Sequence, residues 1–113
     1  ADTPNIQRDW ESVSGEVASW ASYSLGPSDL LLDCVPLNVD LVILPRIANI
    51  MEGVSTEQTC LDWQRNPPPS DGQTYLVQQA FPRQPETQPD HLMALGWRLV
   101  RTIDDRHRLW MSP

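Results

Sequence analysis

Few side chains in this sequence can do chemistry. The histidines are His91 and His107, and the cysteines are Cys34 and Cys60. A serine or cysteine nucleophile needs an adjacent base, and no Gly-x-Ser-x-Gly elbow is present to expose one. Zinc would need both cysteines and both histidines to converge, since a structural site takes four ligands. Neither pair has the close spacing of a zinc module. The run Asp104-Asp105-Arg106-His107 holds the groups for general acid–base work, which needs two carboxylates in unlike environments. Aspartate is equally an ordinary turn residue, however, and neighbours in an extended segment point to opposite faces. The five glycines are scattered, so no phosphate-cradling loop is formed. No cofactor or metal is expected. A small secreted hydrolase or toxin using His107 with Asp104 and Asp105 stands as the alternative to a non-enzymatic protein.

Binding chemistry is better represented. All eight basic residues are arginine, in a chain of 113 residues with no lysine. Arginine forms bidentate pairs with carboxylates that lysine does not. Four arginines, Arg98, Arg101, Arg106 and Arg108, lie close together near the C-terminus, with Trp110 beside them. Arginine and tryptophan are the residue types that dominate interface hot spots, and arginine also stacks on tryptophan. These five residues are the candidate partner-binding set. The competing reading is internal. Residues 1–62 hold ten carboxylates against Arg8 and Arg46, whereas residues 63–113 hold five against six arginines. The C-terminal arginines could therefore pair with the acidic half of their own chain.

The net charge of −7 disfavours nucleic acid, whose binding depends on releasing counterions with basic side chains. It disfavours an anionic membrane surface equally. No apolar run is long enough to span a bilayer, so direct membrane insertion is not expected and the expected partner is another protein. Cys34 and Cys60 fit no C-x-x-C pattern. An even count in a small domain suits one disulfide made in an oxidising compartment. Closing a loop of about 27 residues stabilises by about 3.5 kcal/mol on the chain-entropy model. The start Ala1-Asp2-Thr3-Pro4 resembles what signal peptidase leaves. Together these point to a periplasmic or extracellular protein, with a cytoplasmic protein carrying free thiols as the alternative.

The positioning elements follow from periodicity. Ile6, Trp10, Val13, Val17 and Trp20 fall on one helical face, with Ala21 and Leu25 beside it. Pro4 suits the first turn and Gly26-Pro27 the stop, which predicts a helix over about 5–25. Leu30 to Leu44 is rich in branched apolar residues broken by Pro36 and Asn38, predicting strands at about 30–35 and 40–44. Pro45 to Gly53 reads as a short helix with Ile47, Ile50 and Met51 inward. Ser55 and Gln58 have capping-box spacing, predicting a helix over about 56–64. Thr74 to Phe81 reads as a strand between two proline-rich loops, and Pro89 opens a short helix closed by Gly96. Trp97–Ile103 and Arg108–Met111 read as the arms of a hairpin. On its second arm Arg106, Arg108 and Trp110 share a face. On its first arm, strict alternation sets Arg98 and Arg101 on opposite faces.

The expected fold is a single α+β domain: a long N-terminal amphipathic helix packed on a small, mostly antiparallel sheet of four to five strands. The expected function is a non-enzymatic protein-binding module of the cell envelope or exterior, such as an assembly or secretion accessory subunit or an inhibitor or immunity-type protein. A cytosolic adaptor or antitoxin-like inhibitor with free thiols is the remaining alternative.

Overall fold

The computed structural model describes residues 5–35, 49–52 and 57–113, with side chains at 13–35, 50 and 58–113. Helix α1 (Asn5–Ser24) leads into strand β1 (Leu30–Asp33). Strand β2 (Asn49–Glu52), helix α2 (Glu57–Arg65) and strand β3 (Thr74–Gln79) follow. A 3₁₀ turn (Pro85–Thr87) and helix α3 (Pro89–Ala94) precede the hairpin of β4 (Arg98–Thr102) and β5 (His107–Met111). The strands form one sheet in the order β2-β1-β3-β5-β4. β1 runs parallel to both β2 and β3, whereas β5 runs antiparallel to both β3 and β4.

The fold is therefore α+β with a mixed sheet, which corrects the expectation of a mostly antiparallel one. The physical reason lies in β1. Leu30, Leu31, Leu32 and Asp33 are all buried. Successive strand residues point to opposite faces, so this strand is covered above and below, as parallel strands generally are. Above it lies a cluster of Leu31, Val35, Val77 and Leu109 with Val13, Val17, Trp20, Ala21 and Leu25 from α1 and the turn after it. Below it lies a second cluster of Leu30, Leu32, Leu76 and Trp110 with Leu92 of α3 and Trp97, against which Trp63 of α2 packs. Each fully buried Leu or Val contributes roughly 1.5–3 kcal/mol.

The side chains of α1 are described from Val13 to Ser24, twelve residues. The long packed helix expected from Ile6 onward is not supported, because Ile6 and Trp10 lie outside the residues whose side chains are described. Within that stretch the stripe is as the spacing predicts, and Trp20 meets Tyr75 of β3 edge-on, ring centroids 4.8 Å apart. The strand expected at 40–44 lies outside the described residues. The short helix expected over Pro45 to Gly53 is corrected in part: residues 49–52 are strand β2, the last of the sheet on that side among the described residues. Ile50, β-branched and suited to a sheet, is half-buried against the upper cluster.

Polar staples close the ends. The Asp29 carboxylate accepts from the Gly26 N–H and the Gln73 N–H, each at 2.8 Å, and the Gly72 N–H donates to the Ser28 carbonyl at 2.8 Å. A Cβ on Gly72 would collide with that carboxylate, so the loop entering β3 can approach the start of β1 only with glycine there. Helix α3 stops at Gly96, whose φ of +98° is left-handed. The Trp97 N–H reaches the Leu92 carbonyl and the Gly96 N–H the Met93 carbonyl, each at 3.0 Å, which is the Schellman arrangement. Below the sheet, buried Gln78 accepts from the Trp110 indole at 3.2 Å and donates to the Thr87 carbonyl at 3.0 Å. Buried Gln64 donates to the Glu86 carbonyl at 2.8 Å, and its own carbonyl accepts from the Trp97 indole at 2.7 Å. The proline-rich segment 81–88 is thereby tied to β3 and α2.

The disulfide Cys34–Cys60 joins the end of β1 to α2, with Cα atoms 6.1 Å apart.

Replacing Val17, 1% exposed, by aspartate should cost on the order of 3 kcal/mol or more, because the buried charge gains no partner. Ser19, exposed on the same helix, should accept aspartate within about 0.5 kcal/mol. Chemical denaturation of the two variants measures the difference, and equal tolerance would show that this stripe does not seal the upper core.

Candidate partner-binding hairpin

The candidate residues sit on the β4–β5 hairpin, which the topology places at one end of the sheet. β5 is sandwiched between β3 and β4, so it inherits both cores. Leu109 faces α1, and Trp110 faces α2 and α3. Trp110 is fully buried and its indole is spent on Gln78. It shares a face with Arg108, as the alternation predicts, but that face is interior at Trp110. Its place in the partner-contacting set is corrected accordingly: it supports the hairpin from within.

β4 is different. It pairs with β5 alone among the described residues, and all five of its residues are exposed. Leu99 and Val100 are 41% and 38% exposed. Its register with β5 slips once. Arg98 lies opposite Met111 and Leu99 opposite Trp110, but Arg101 lies opposite Leu109 and Thr102 opposite Arg108, leaving Val100 as the extra residue of a bulge. Residues directly opposite each other share a face. Arg98 and Arg101 therefore both lie on the α1 side, not on opposite sides as unbroken alternation implies. Leu99 lies on the Trp110 side.

The four arginines have unlike surroundings. Arg101 donates to Glu16 of α1 at 2.9 Å, with both side chains about half exposed. That is the internal pairing the charge asymmetry suggested, worth about 0–1 kcal/mol at this exposure. Arg98 and Arg106 are exposed. Arg108 is half-buried opposite Gln78 and Thr102, and its Nη1 is buried with no hydrogen-bond partner among the described residues. The acidic first half thus engages one of the four among the described residues.

The hairpin turn is organised by Asp104. Its Oδ1 accepts from the backbone N–H groups of Arg106 and His107, each at 2.8 Å, and both carboxylate oxygens lie about 3 Å from His107 Nδ1. This is aspartate bonding its own downstream backbone, the reason the residue favours turns. His107 belongs to β5 and is buried, 6% exposed. Partial burial pushes the Asp104 carboxyl up. The hydrogen bonds from the Arg106 N–H and from the ring and N–H of His107, with the attraction of the His107 ring, outweigh this and hold it below the ordinary aspartate value.

Asp104, Asp105, Arg106 and His107 rim an open concavity of about 270 Å³. Asp104 is committed to the turn, and the side-chain hydrogen bonds of His107 among the described residues go to Asp104 alone. Cys34 and Cys60 are bonded to each other, which removes them from the four-ligand set with His91 and His107. No helix among the described residues is long and apolar enough to cross a membrane.

Sequence reasoning missed three features of this region. The bulge at Val100 has no sequence signature. Exposure of Leu99 and Val100 follows from their strand being an edge, which periodicity does not reveal. Gln78 beneath Trp110 had a visible signal, a glutamine two residues after Leu76 on the inward face of its strand. Known protein families, curated proteins and solved structures offer no match to the chain, so its function is read from these residues.

Asp104→Ala should destabilise the protein at pH 7 by about 1 kcal/mol or more, the ordinary net worth of one or two hydrogen bonds. A carboxyl whose folded pKa lies below its unfolded value contributes stability that is present above the unfolded value and lost as pH falls through the folded one. The gap between wild type and variant should hold from pH 7 to about pH 5 and narrow below about pH 4. Urea denaturation across that range measures it, and a gap unchanged at low pH would remove the ionised carboxylate as its cause.

Proposed function

We propose that this chain is a non-enzymatic protein-binding module of the periplasm or cell exterior, of the assembly or secretion accessory or inhibitor and immunity kind. Its partner surface is the outer hairpin strand with Arg98, Arg101, Arg106 and Arg108. One observation carries the reading: β4 presents exposed apolar and arginine side chains on a sheet edge that nothing covers among the described residues. Interfaces combine such apolar centres with arginine anchors. The Cys34–Cys60 disulfide supports an oxidising compartment and disfavours the cytosolic free-thiol alternative. Commitment of Asp104 to the hairpin turn disfavours the hydrolase alternative, which needs that carboxylate free to move a proton.

Arg98→Ala and Arg106→Ala together should leave stability within about 1 kcal/mol, since both side chains are exposed. Capture of the partner from native extract should weaken, by ~2 kcal/mol or more if either is a desolvated anchor. Capture that survives in a folded double variant would remove these arginines as the site.

Alkylation of the denatured, unreduced protein should add no label by mass, and reduction beforehand should add two. Labels without reductant would overturn the oxidised state and with it the support for an extracytoplasmic location.

A further inference from the structure

We infer that the outer edge of β4 takes an extended, acidic segment of another protein as an added strand, one in which carboxylates alternate with apolar side chains. The inference rests on the partner-binding reading above and specifies its mode and its ligand. β4 ends the sheet, its residues are all exposed, and its backbone pairs with β5 alone among the described residues. A row of outward N–H and C=O groups is a template for a further strand.

The two faces of that edge differ in chemistry. The bulge at Val100 sets Arg98 and Arg101 on the α1 side together. Glu16 engages Arg101 there, and Arg98 has no partner among the described residues. Leu99, on the opposite side, carries the Trp110 layer out to the edge while 41% exposed. Met93 and Leu95, at the end of the helix on that side, are also exposed, at 51% and 37%. A strand laid along β4 sends alternate side chains to the two faces. Those on the α1 side meet guanidinium groups and those on the α3 side meet Leu99. An alternating acidic and apolar segment satisfies both.

Charge decides against a second copy of this chain as the occupant. Pairing β4 with its own equivalent would crowd four arginines along one seam, and like charges across a strand pair are destabilising. The same charge suppresses edge-to-edge aggregation of the free protein. The edge is thus closed to itself and open to an acidic strand.

The test is an NMR titration of isotope-labelled protein with a capped Glu-Val repeat peptide of about eight residues, a length that matches an ordinary strand. Saturable shifts should centre on the amides of 98–102, and a Lys-Val repeat should produce none. Two analogues, N-methylated at the odd or the even positions, should differ: one set of amides faces β4 and the other faces solvent, so only one analogue should lose binding. Arg98→Ala with Arg101→Ala should weaken the Glu-Val peptide about tenfold. Absence of shifts at β4, or equal binding by both methylated analogues, would overturn strand addition. Should that happen while partner capture still depends on Arg98 and Arg106, the protein-binding reading stands without this mode. If the peptide instead adds to β4 while capture ignores those arginines, the mode stands and the arginine anchors of that reading fail.

Discussion

Burial of β1 on both faces is the constraint on which the rest of the structure depends. Leu30, Leu31 and Leu32 send side chains alternately into two separate cores. A strand in that position has no solvent face, so its backbone must pair on both sides and helices must cover it above and below. Its neighbours β2 and β3 both run parallel to it, and parallel neighbours need crossover connections. Helix α2 sits in one such connection, between β2 and β3. α1 covers the upper face and α2 with α3 the lower. The disulfide joins β1 to α2, where the chain leaves this strand and the layer beneath it begins.

The lower layer needs more than apolar contact. It contains two buried indoles, at Trp97 and Trp110, whose N–H groups are carried into the core with the rings. A buried donor without an acceptor costs roughly 1–3 kcal/mol. Gln78 and the Gln64 carbonyl supply the acceptors. The glutamine side chains then donate onward to the carbonyls of Thr87 and Glu86. The segment 81–88 is thus held in part by the two glutamines that also accept from the buried indoles, and in part by its own Thr87 and Gln88 bonds to Phe81. Proline suits such a segment, since each one removes a backbone donor that would otherwise need a partner.

Much of this was legible in the sequence, and the failures share a cause. The apolar spacing from Val13 to Leu25, the helix stop at Gly96 and the C-terminal hairpin all follow from local chemistry, as does the strand expected from Thr74 to Phe81, which ends two residues earlier at Gln79. The Cys34–Cys60 pairing was legible from an even cysteine count. What periodicity does not encode is which element lies next to which. Leu30-Leu31-Leu32 shows no alternation because both of its faces are buried, so the run hid the parallel neighbours that cover it. The stretch at 49–52 carries an isoleucine and a methionine compatible with helix or strand, and the free edge of β1 decided between them. Trp110 read as a surface anchor because it follows arginines in sequence. Tertiary packing left that strand face half-buried at Arg108 and sealed it in the core at Trp110.

The bulge at Val100 has the largest consequence for the hairpin surface among these non-local features. A one-residue slip in register moves every later side chain of a strand to the other face. Without the slip, Arg101 would join Leu99 on the Trp110 side, a guanidinium beside the lower core, and Arg98 would stand alone above. With it, Arg101 reaches Glu16 of α1 and shares a face with Arg98, while Leu99 stays over Trp110. The bulge therefore sorts the edge into a cationic face and an apolar face. A bulged edge is also a poorer template for indiscriminate pairing, because its twist departs from that of a flat strand. For the strand addition we infer, selectivity at this edge rests on two terms together: the local twist that an incoming backbone must match, and the charge that its side chains must bring to the α1 side.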